Sequence, residues 1–78
     1  MTYKAYIDNI RAETGKGPEY YKATAKKKGL AKYAELLAWL KKDEKLGHGH
    51  ANAIIFYIRN TELAKKKIAQ DAKAEGAK

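Results

Sequence analysis

Several chemically useful residue types are missing from this chain of 78 residues. It contains no cysteine and no serine, which excludes disulfide bridges, cysteine-based zinc sites and mechanisms that use a thiol or serine nucleophile. Acidic residues are also few, nine against 17 lysines and arginines, and the formal net charge is +8. We therefore expect a protein that is not an enzyme, needs no cofactor and attracts polyanions such as DNA or RNA.

Long hydrophobic runs are missing as well. The longest strongly apolar stretch, residues 53–58, is far too short to span a bilayer, and the N-terminal residues lack the apolar run of a signal peptide. These features predict a cytoplasmic protein with no membrane partner. A hydrophobic content of 45% is enough for one core, and a chain of this length has no room for a second.

The first half of the chain has the apolar spacing of two helices. Apolar residues spaced to lie on one helix face predict a first helix over about 3–14; they are Tyr3, Tyr6, Ile7 and Ile10. Thr2 is its expected N-cap, and Gly15 is expected to end it. Pro18 suits the first turn of a second helix, which Gly29 ends after about residue 28. Tyr20 or Tyr21 should face the core from this helix.

The second half predicts two further helices and a charged tail. A third helix over about 31–45 carries the strongest apolar stripe, which includes Tyr33 as a core residue, and Leu46 should fold back onto the core. A fourth helix starts near His48 or His50 and reaches about Asn60. Residues 61–78 form a charged helix or a frayed tail, which either continues the fourth helix or turns at Asn60. The expected fold is therefore all-α: a compact four-helix domain over 1–60 with an additional C-terminal helix.

Two glycines and two histidines alternate between the third and fourth helices. Gly47, Gly49 and Ala53 have the spacing of a helix-hairpin-helix turn, whose exposed backbone N–H groups receive a phosphate at a helix N-terminus. The match departs from that module because His48 replaces an apolar residue and His50 replaces a lysine. Alternatively, the glycines only supply the positive φ of a tight turn. His48 and His50 alone are too few ligands for zinc, so no metal site is expected.

Lysines cluster around the second helix without an intervening acid. They are Lys22, Lys26, Lys27, Lys28 and Lys32. Tyrosines interleave with them, a pattern that can follow a phosphate backbone. Together with Gly47, His48, Gly49 and His50, these lysines form the predicted nucleic-acid site. Because the chain has only two arginines, weak binding with little sequence preference is expected.

A protein-interaction or self-association domain is the alternative prediction. Trp39, Phe56 and Tyr57 could form an exposed apolar patch that binds another protein or a second copy of the chain. In that case the lysines would serve mainly as a solvated, helix-favouring surface.

Four sequence elements resemble a family of small bacterial domains of unknown function. They are Tyr6-Ile7-Asp8-Asn9-Ile10, Thr14-Gly15-Lys16, Ala38-Trp39-Leu40-Lys41 and the segment from Leu46 to Ile54, which contains Gly-His-Gly-His-Ala. The likeness covers about residues 2–59. It implies a helical cytoplasmic domain but no established activity. This chain departs from the family pattern in having Gly17 where a Thr or Ser cap is common, and in its richness in lysine.

Overall fold

Five helices make up the part of the chain that the computed structural model describes, residues 2–76. They are α1 (Tyr3–Thr14), α2 (Pro18–Lys28), α3 (Tyr33–Lys42), α4 (His48–Arg59) and α5 (Thr61–Gly76). No strand occurs within these residues, so the predicted all-α fold is confirmed. None of the helices is apolar over a long enough stretch to cross a membrane. Residues 77 and 78, the end of the predicted tail, lie outside the described range.

The fourth helix occupies the centre of the fold. It packs against each of the other four helices, and α5 also packs against α1. Its buried residues are Ala51, Ala53, Ile54, Ile55 and Tyr57. The neighbouring helices contribute Ile10, Leu36 and Leu40, which are all fully buried. A helix that is apolar over most of its circumference is stable only when surrounded, so α4 determines where its neighbours lie.

The ends of α1 and α2 follow the predicted caps. The Ala5 N–H donates to Thr2 Oγ1 at 3.1 Å, as an N-cap requires. Gly15 and Gly29 both adopt the left-handed conformation, with φ of 73° and 72°. After α2, the Gly29 N–H donates to the Lys26 carbonyl and the Leu30 N–H donates to the Ala25 carbonyl. This is the hydrogen-bond pattern of a Schellman motif.

The third helix is shorter at both ends than the predicted 31–45. It begins at Tyr33, and its last helical residue is Lys42. Lys45 has a φ of 58°, a left-handed conformation that the sequence pattern does not signal. With this reversal the Leu46 N–H donates to the Leu40 carbonyl at 3.0 Å, and the Leu46 side chain is buried as predicted.

The chain turns after α4 instead of continuing it. Asn60, with φ −137° and ψ 56°, interrupts the helical backbone, and α5 begins at the next residue. Ala64 then packs into the core and the partly buried Ile68 lies against it. Near the other end of α5, the Lys4 N–H donates to Asp71 Oδ2 at 3.1 Å, which ties the first helix to the last.

The burial of the side chains corrects one aromatic prediction and resolves another. Tyr33, predicted as core, is 41% exposed, and its hydroxyl donates to Asn52 Oδ1 at 2.6 Å. It is the first residue of α3, within a run of exposed residues, and its hydrogen bond is also exposed. Of the two candidates on α2, Tyr21 is buried and Tyr20 is 42% exposed.

An ion pair connects α1 to α2 across the glycine that departs from the family pattern. Arg11 Nη2 donates to Glu19 Oε1 at 2.8 Å. A Cβ at Gly17 would clash with the Arg11 guanidinium, so glycine leaves room for this pair. Partial desolvation raises the pKa of Glu19. Two influences lower this pKa by a larger amount: the hydrogen bonds that Glu19 accepts from its own backbone and from Arg11, and the positive charges of Arg11 and Lys65. The net effect is a lowered pKa.

Replacing two glycines by alanine should change stability in opposite directions. Gly29→Ala places a Cβ on left-handed backbone and should lower the free energy of unfolding by about 1–2 kcal/mol. Gly49→Ala lies within α4, where its Cβ would make an ordinary contact with Tyr6, and should raise that free energy by roughly 0.5 kcal/mol. Urea unfolding measures both. Equal effects would contradict the assigned backbone conformations.

The Arg11–Glu19 pair should add a small pH dependence to stability. Because the pKa of Glu19 is lower in the folded state than its ordinary value of 4.5, its stabilisation is present above that pH. It should be lost as the pH falls through the lowered pKa. For an exposed pair we expect about 0.2–1 kcal/mol, measured as the difference between wild type and Glu19→Gln in acid and at neutral pH. In an Arg11→Gln background, Glu19→Gln should have less effect; an unchanged effect would mean that Arg11 is not the partner.

Candidate functional site

The glycine turn leaves the beginning of α4 open to solvent. Gly47 is the N-cap in an extended conformation, φ −67° and ψ 164°, and no side chain caps the helix. The described glycines with positive φ are Gly15 and Gly29, so the expectation of positive φ at Gly47 and Gly49 is wrong. A Cβ at Gly47 would meet nothing within 4 Å. Neither backbone conformation nor crowding therefore requires glycine at this position, and the first N–H groups of α4 lack intrahelical partners.

The two histidines lie in different environments. His48 is exposed, whereas the half-buried His50 packs against α1. The His50 ring meets Tyr6 edge to face with 5.9 Å between ring centroids, and its Nδ1 is 3.6 Å from Glu13 Oε2. Within residues 2–76, no group of three histidines or carboxylates could hold a metal ion.

The predicted lysines do not converge on the glycine turn. Lys22 and Lys26 line a shallow depression of about 320 Å³ beside Tyr57 and Thr61, at the far end of α4. At 1.5 Å per residue, Tyr57 is roughly 14 Å along the helix from His48. The structure thus separates the predicted site into two regions. Lys27, Lys28 and Lys32 are exposed on the last turn of α2 and the connection that follows it.

A lysine from the tail joins the two from α2. Lys65 of α5 lines the same depression, and the Lys22 ammonium group donates to the Thr61 hydroxyl on the first turn of α5. We call Lys22, Lys26 and Lys65 the lysine cluster. The sequence contained a signal for it in the run Lys65-Lys66-Lys67, but only the turn at Asn60 brings α5 beside α2.

A groove lined by aromatic rings, which the sequence pattern does not predict, runs between α1, α4 and α5. It has a volume of about 360 Å³; the lining residues are Tyr3, Tyr6, Gly49, Asn52, Ala53, Phe56 and Lys67. We call it the aromatic groove. Gly49 therefore belongs to this groove, whereas the exposed Gly47 does not line it.

One wall of the aromatic groove is held in place by side-chain contacts. The Tyr3 and Phe56 rings meet edge to face with centroids 5.5 Å apart. The Tyr3 hydroxyl donates to the Ala53 carbonyl at 2.8 Å. Burial, and to a lesser extent the nearby Tyr57, raises the pKa of Tyr3, so its hydroxyl keeps the proton that it donates.

The apolar patch predicted around Trp39, Phe56 and Tyr57 is not exposed in that form. Trp39 is only 5% exposed and packs edge to face with Tyr21, and Tyr57 is also buried. The indole N–H of Trp39 makes no hydrogen bond within the described residues. The partly buried Phe56 faces the aromatic groove instead. A different apolar surface lies on the outer side of α3, a depression of about 520 Å³ lined by Tyr33, Ala34, Leu37, Ala38, Lys41 and Lys42.

Comparisons with known proteins place this chain in a family but give it no activity. Neither the curated proteins nor the solved structures include a match to it. A family model described as "Domain of unknown function (DUF4287)" matches residues 2–60, which include α1 to α4 and the glycine turn. The lysines of α5 lie outside the matched residues. Because the match covers most of the 78 residues, the chain belongs to the DUF4287 family of domains of unknown function.

Proposed function

We propose that this domain is a non-catalytic module that binds the phosphate backbone of nucleic acids with little sequence preference. The observation that carries the proposal is the lysine cluster, in which three side chains from two helices line one depression. Because the fields of neighbouring ammonium groups add, such a cluster attracts a polyanion more strongly than the same charges scattered over a surface. Arg11 is engaged by Glu19, which leaves few groups for bidentate base recognition.

The carboxylates near the lysine cluster do not cancel its charge. Glu19 lines the same depression, and Lys65 contributes to its lowered pKa, but its ion-pair partner is Arg11 at 2.8 Å. Glu62 Oε2 is 4.0 Å from Lys65, and its side chain is 89% exposed, so that pair is weak. The exposed Lys27 and Lys28 on the last turn of α2 add further positive charge along this edge.

The glycine turn has a separate and lesser part in this proposal. A phosphate held by the N–H groups after Gly47 would be a different phosphate from one at the lysine cluster, because the two regions lie at opposite ends of α4. Support for the turn is limited to its open helix N-terminus, and the proposal does not depend on it. A bacterial cytoplasmic setting belongs to the same proposal and rests on the family resemblance.

Removing the lysine cluster should weaken binding of a mixed-sequence DNA duplex. The plot of log affinity against log salt falls with a slope of about −0.9 for each phosphate contact. The triple variant Lys22→Gln/Lys26→Gln/Lys65→Gln should therefore make this slope shallower by roughly two to three. The affinity of the wild type for this DNA should fall about tenfold or more between roughly 50 and 200 mM salt. Fluorescence anisotropy with labelled DNA measures both quantities.

A triple variant on another surface is the matched control for this experiment. Lys41→Gln/Lys42→Gln/Lys45→Gln removes the same charge from the end of α3 and its connection to α4. This control variant should change the slope of log affinity against log salt by less than about 0.9, the value for one phosphate contact. Equal losses in the two variants would show that binding responds only to total charge and would overturn the assignment to the α2–α5 edge.

Self-association through the outer side of α3 is a second candidate function. The observation that favours it is the exposed apolar depression on this helix, which is lined mainly by Tyr33, Leu37 and two alanines. Small side chains such as Ala34 and Ala38 would allow the α3 helix of a second copy to approach closely. Exposed apolar patches of this kind are typical of protein–protein contact surfaces.

A charge on this surface should abolish any dimer. Ala38→Glu introduces a carboxylate at an exposed position and should give a monomer at concentrations where the wild type sediments as a dimer. Ala12→Glu, at an exposed position on α1, is the control and should leave the dimer intact. A wild type that remains monomeric at the highest accessible concentration would contradict this candidate.

A further inference from the structure

We propose that the aromatic groove binds an unpaired nucleobase, so that the domain prefers single-stranded to double-stranded nucleic acid. The inference rests on the proposed backbone binding and specifies its substrate class. Base stacking on aromatic side chains is the usual way in which proteins hold single strands without sequence preference. A base that is stacked and paired in a duplex cannot enter a recessed groove unless it is flipped out.

The shape of the aromatic groove suits one planar ring. Its volume of about 360 Å³ lies at the lower end of the range for ligand pockets. Tyr3, Tyr6 and Phe56 supply aromatic surface from two helices, and Tyr6 and Phe56 are only partly buried. The contacts of Tyr3 with Phe56 and Ala53 hold one wall before any ligand arrives, which lowers the entropy cost of binding.

Gly49 keeps the aromatic groove open. It stands in the first turn of α4, and a Cβ built on it would lie 3.6 Å from the Tyr6 ring. Any larger side chain would therefore extend into the space between α4 and α1. The open groove therefore explains why glycine stands at position 49, where neither the backbone conformation nor a steric clash requires it.

Polar groups at the aromatic groove suit a base attached to a phosphate. The Tyr33 hydroxyl donates a hydrogen bond to Asn52 Oδ1 at 2.6 Å. The amide N–H groups of Asn52 can then donate to the acceptors on the edge of a base. Asn52 lines both the aromatic groove and an adjoining hollow that also contains Arg59. Lys67 lines the groove and supplies a positive charge for the attached phosphate.

Consecutive lysines of α5 connect the aromatic groove with the lysine cluster. Successive helical residues are about 100° apart, so Lys65, Lys66 and Lys67 extend from one flank of α5 over its outer side to the other. Lys65 lines the α2 side, Lys67 lines the groove, and Lys66 is exposed between them. The width to be crossed is the diameter of one helix, about 10–12 Å with side chains. A single strand that crosses α5 can therefore contact the cluster and place a base in the groove.

The test compares strands that carry the same phosphates with and without bases. Wild-type protein is titrated with a short oligo(dT), with an abasic strand of equal length, and with a duplex. We expect the oligo(dT) to bind five- to about 150-fold more tightly than the abasic strand, which corresponds to about 1–3 kcal/mol for one stacked base. NMR shifts from the bases should appear at Gly49, Asn52 and Phe56, and the abasic strand should not produce them.

Two variants assign the preference to the aromatic groove. Tyr6→Leu removes a stacking ring and Gly49→Leu fills the groove, and each should bring oligo(dT) binding down to the abasic level. Tyr20→Leu alters an exposed tyrosine outside the groove and should keep the preference. Thermal melts by circular dichroism check that each variant is folded, and the wild-type comparison does not depend on any variant.

The outcomes separate this inference from the proposed backbone binding. If the wild type binds oligo(dT) and abasic strands equally, base stacking is excluded while backbone binding stands. If it binds neither strand at low salt, both proposals fail. A preference for oligo(dT) that survives in Tyr6→Leu and in Gly49→Leu would overturn the assignment to the groove. Groove shifts caused by a tryptophan-containing peptide, with none caused by oligo(dT), would assign the groove to a protein partner and also overturn it.

Discussion

The burial of α4 is the constraint on which the other elements depend. Its apolar residues occupy most of the helix circumference, so four other helices must cover them. The strip that remains partly open runs through Gly49, Asn52 and Phe56, and it forms the floor of the aromatic groove. The same packing arrangement therefore holds the domain together and forms one side of the aromatic groove.

Local signals in the sequence predicted most of the secondary structure. Thr2, Gly15, Pro18 and Gly29 act through their own backbone or side chain, and they mark the observed ends of α1 and α2. The end of α3 was missed because Lys45 takes a left-handed conformation that a lysine rarely adopts. Its cause is tertiary, since the turn returns Leu46 to the core.

The candidate site was less accessible to sequence reasoning. Periodicity identifies the inner face of a helix but does not fix the angle at which two helices meet. The lysine cluster and the aromatic groove both require α5 to fold back after Asn60, so neither could be assembled from segments read one at a time. Trp39 illustrates the converse error. Its position next to an apolar stripe fits either surface or core, and only the contact with Tyr21 decides for core.

The hydrogen bond between Lys4 and Asp71 bears on the order in which the domain assembles. It joins residues 67 positions apart, whereas the turns between successive helices bring only neighbouring segments together. Closing so long a loop costs more entropy than forming the local turns, so this bond forms after the helices between its ends are in place. Among the described side chains of α5 Ala64 alone is buried, so α5 is held by less apolar contact than the other helices and is the element that detaches first. Hydrogen exchange in α5 would then proceed through a partial opening in which α1 to α4 stay folded. In that open form Lys65 leaves the lysine cluster and Lys67 leaves the aromatic groove, so the docking equilibrium of one helix controls the charge that the domain presents.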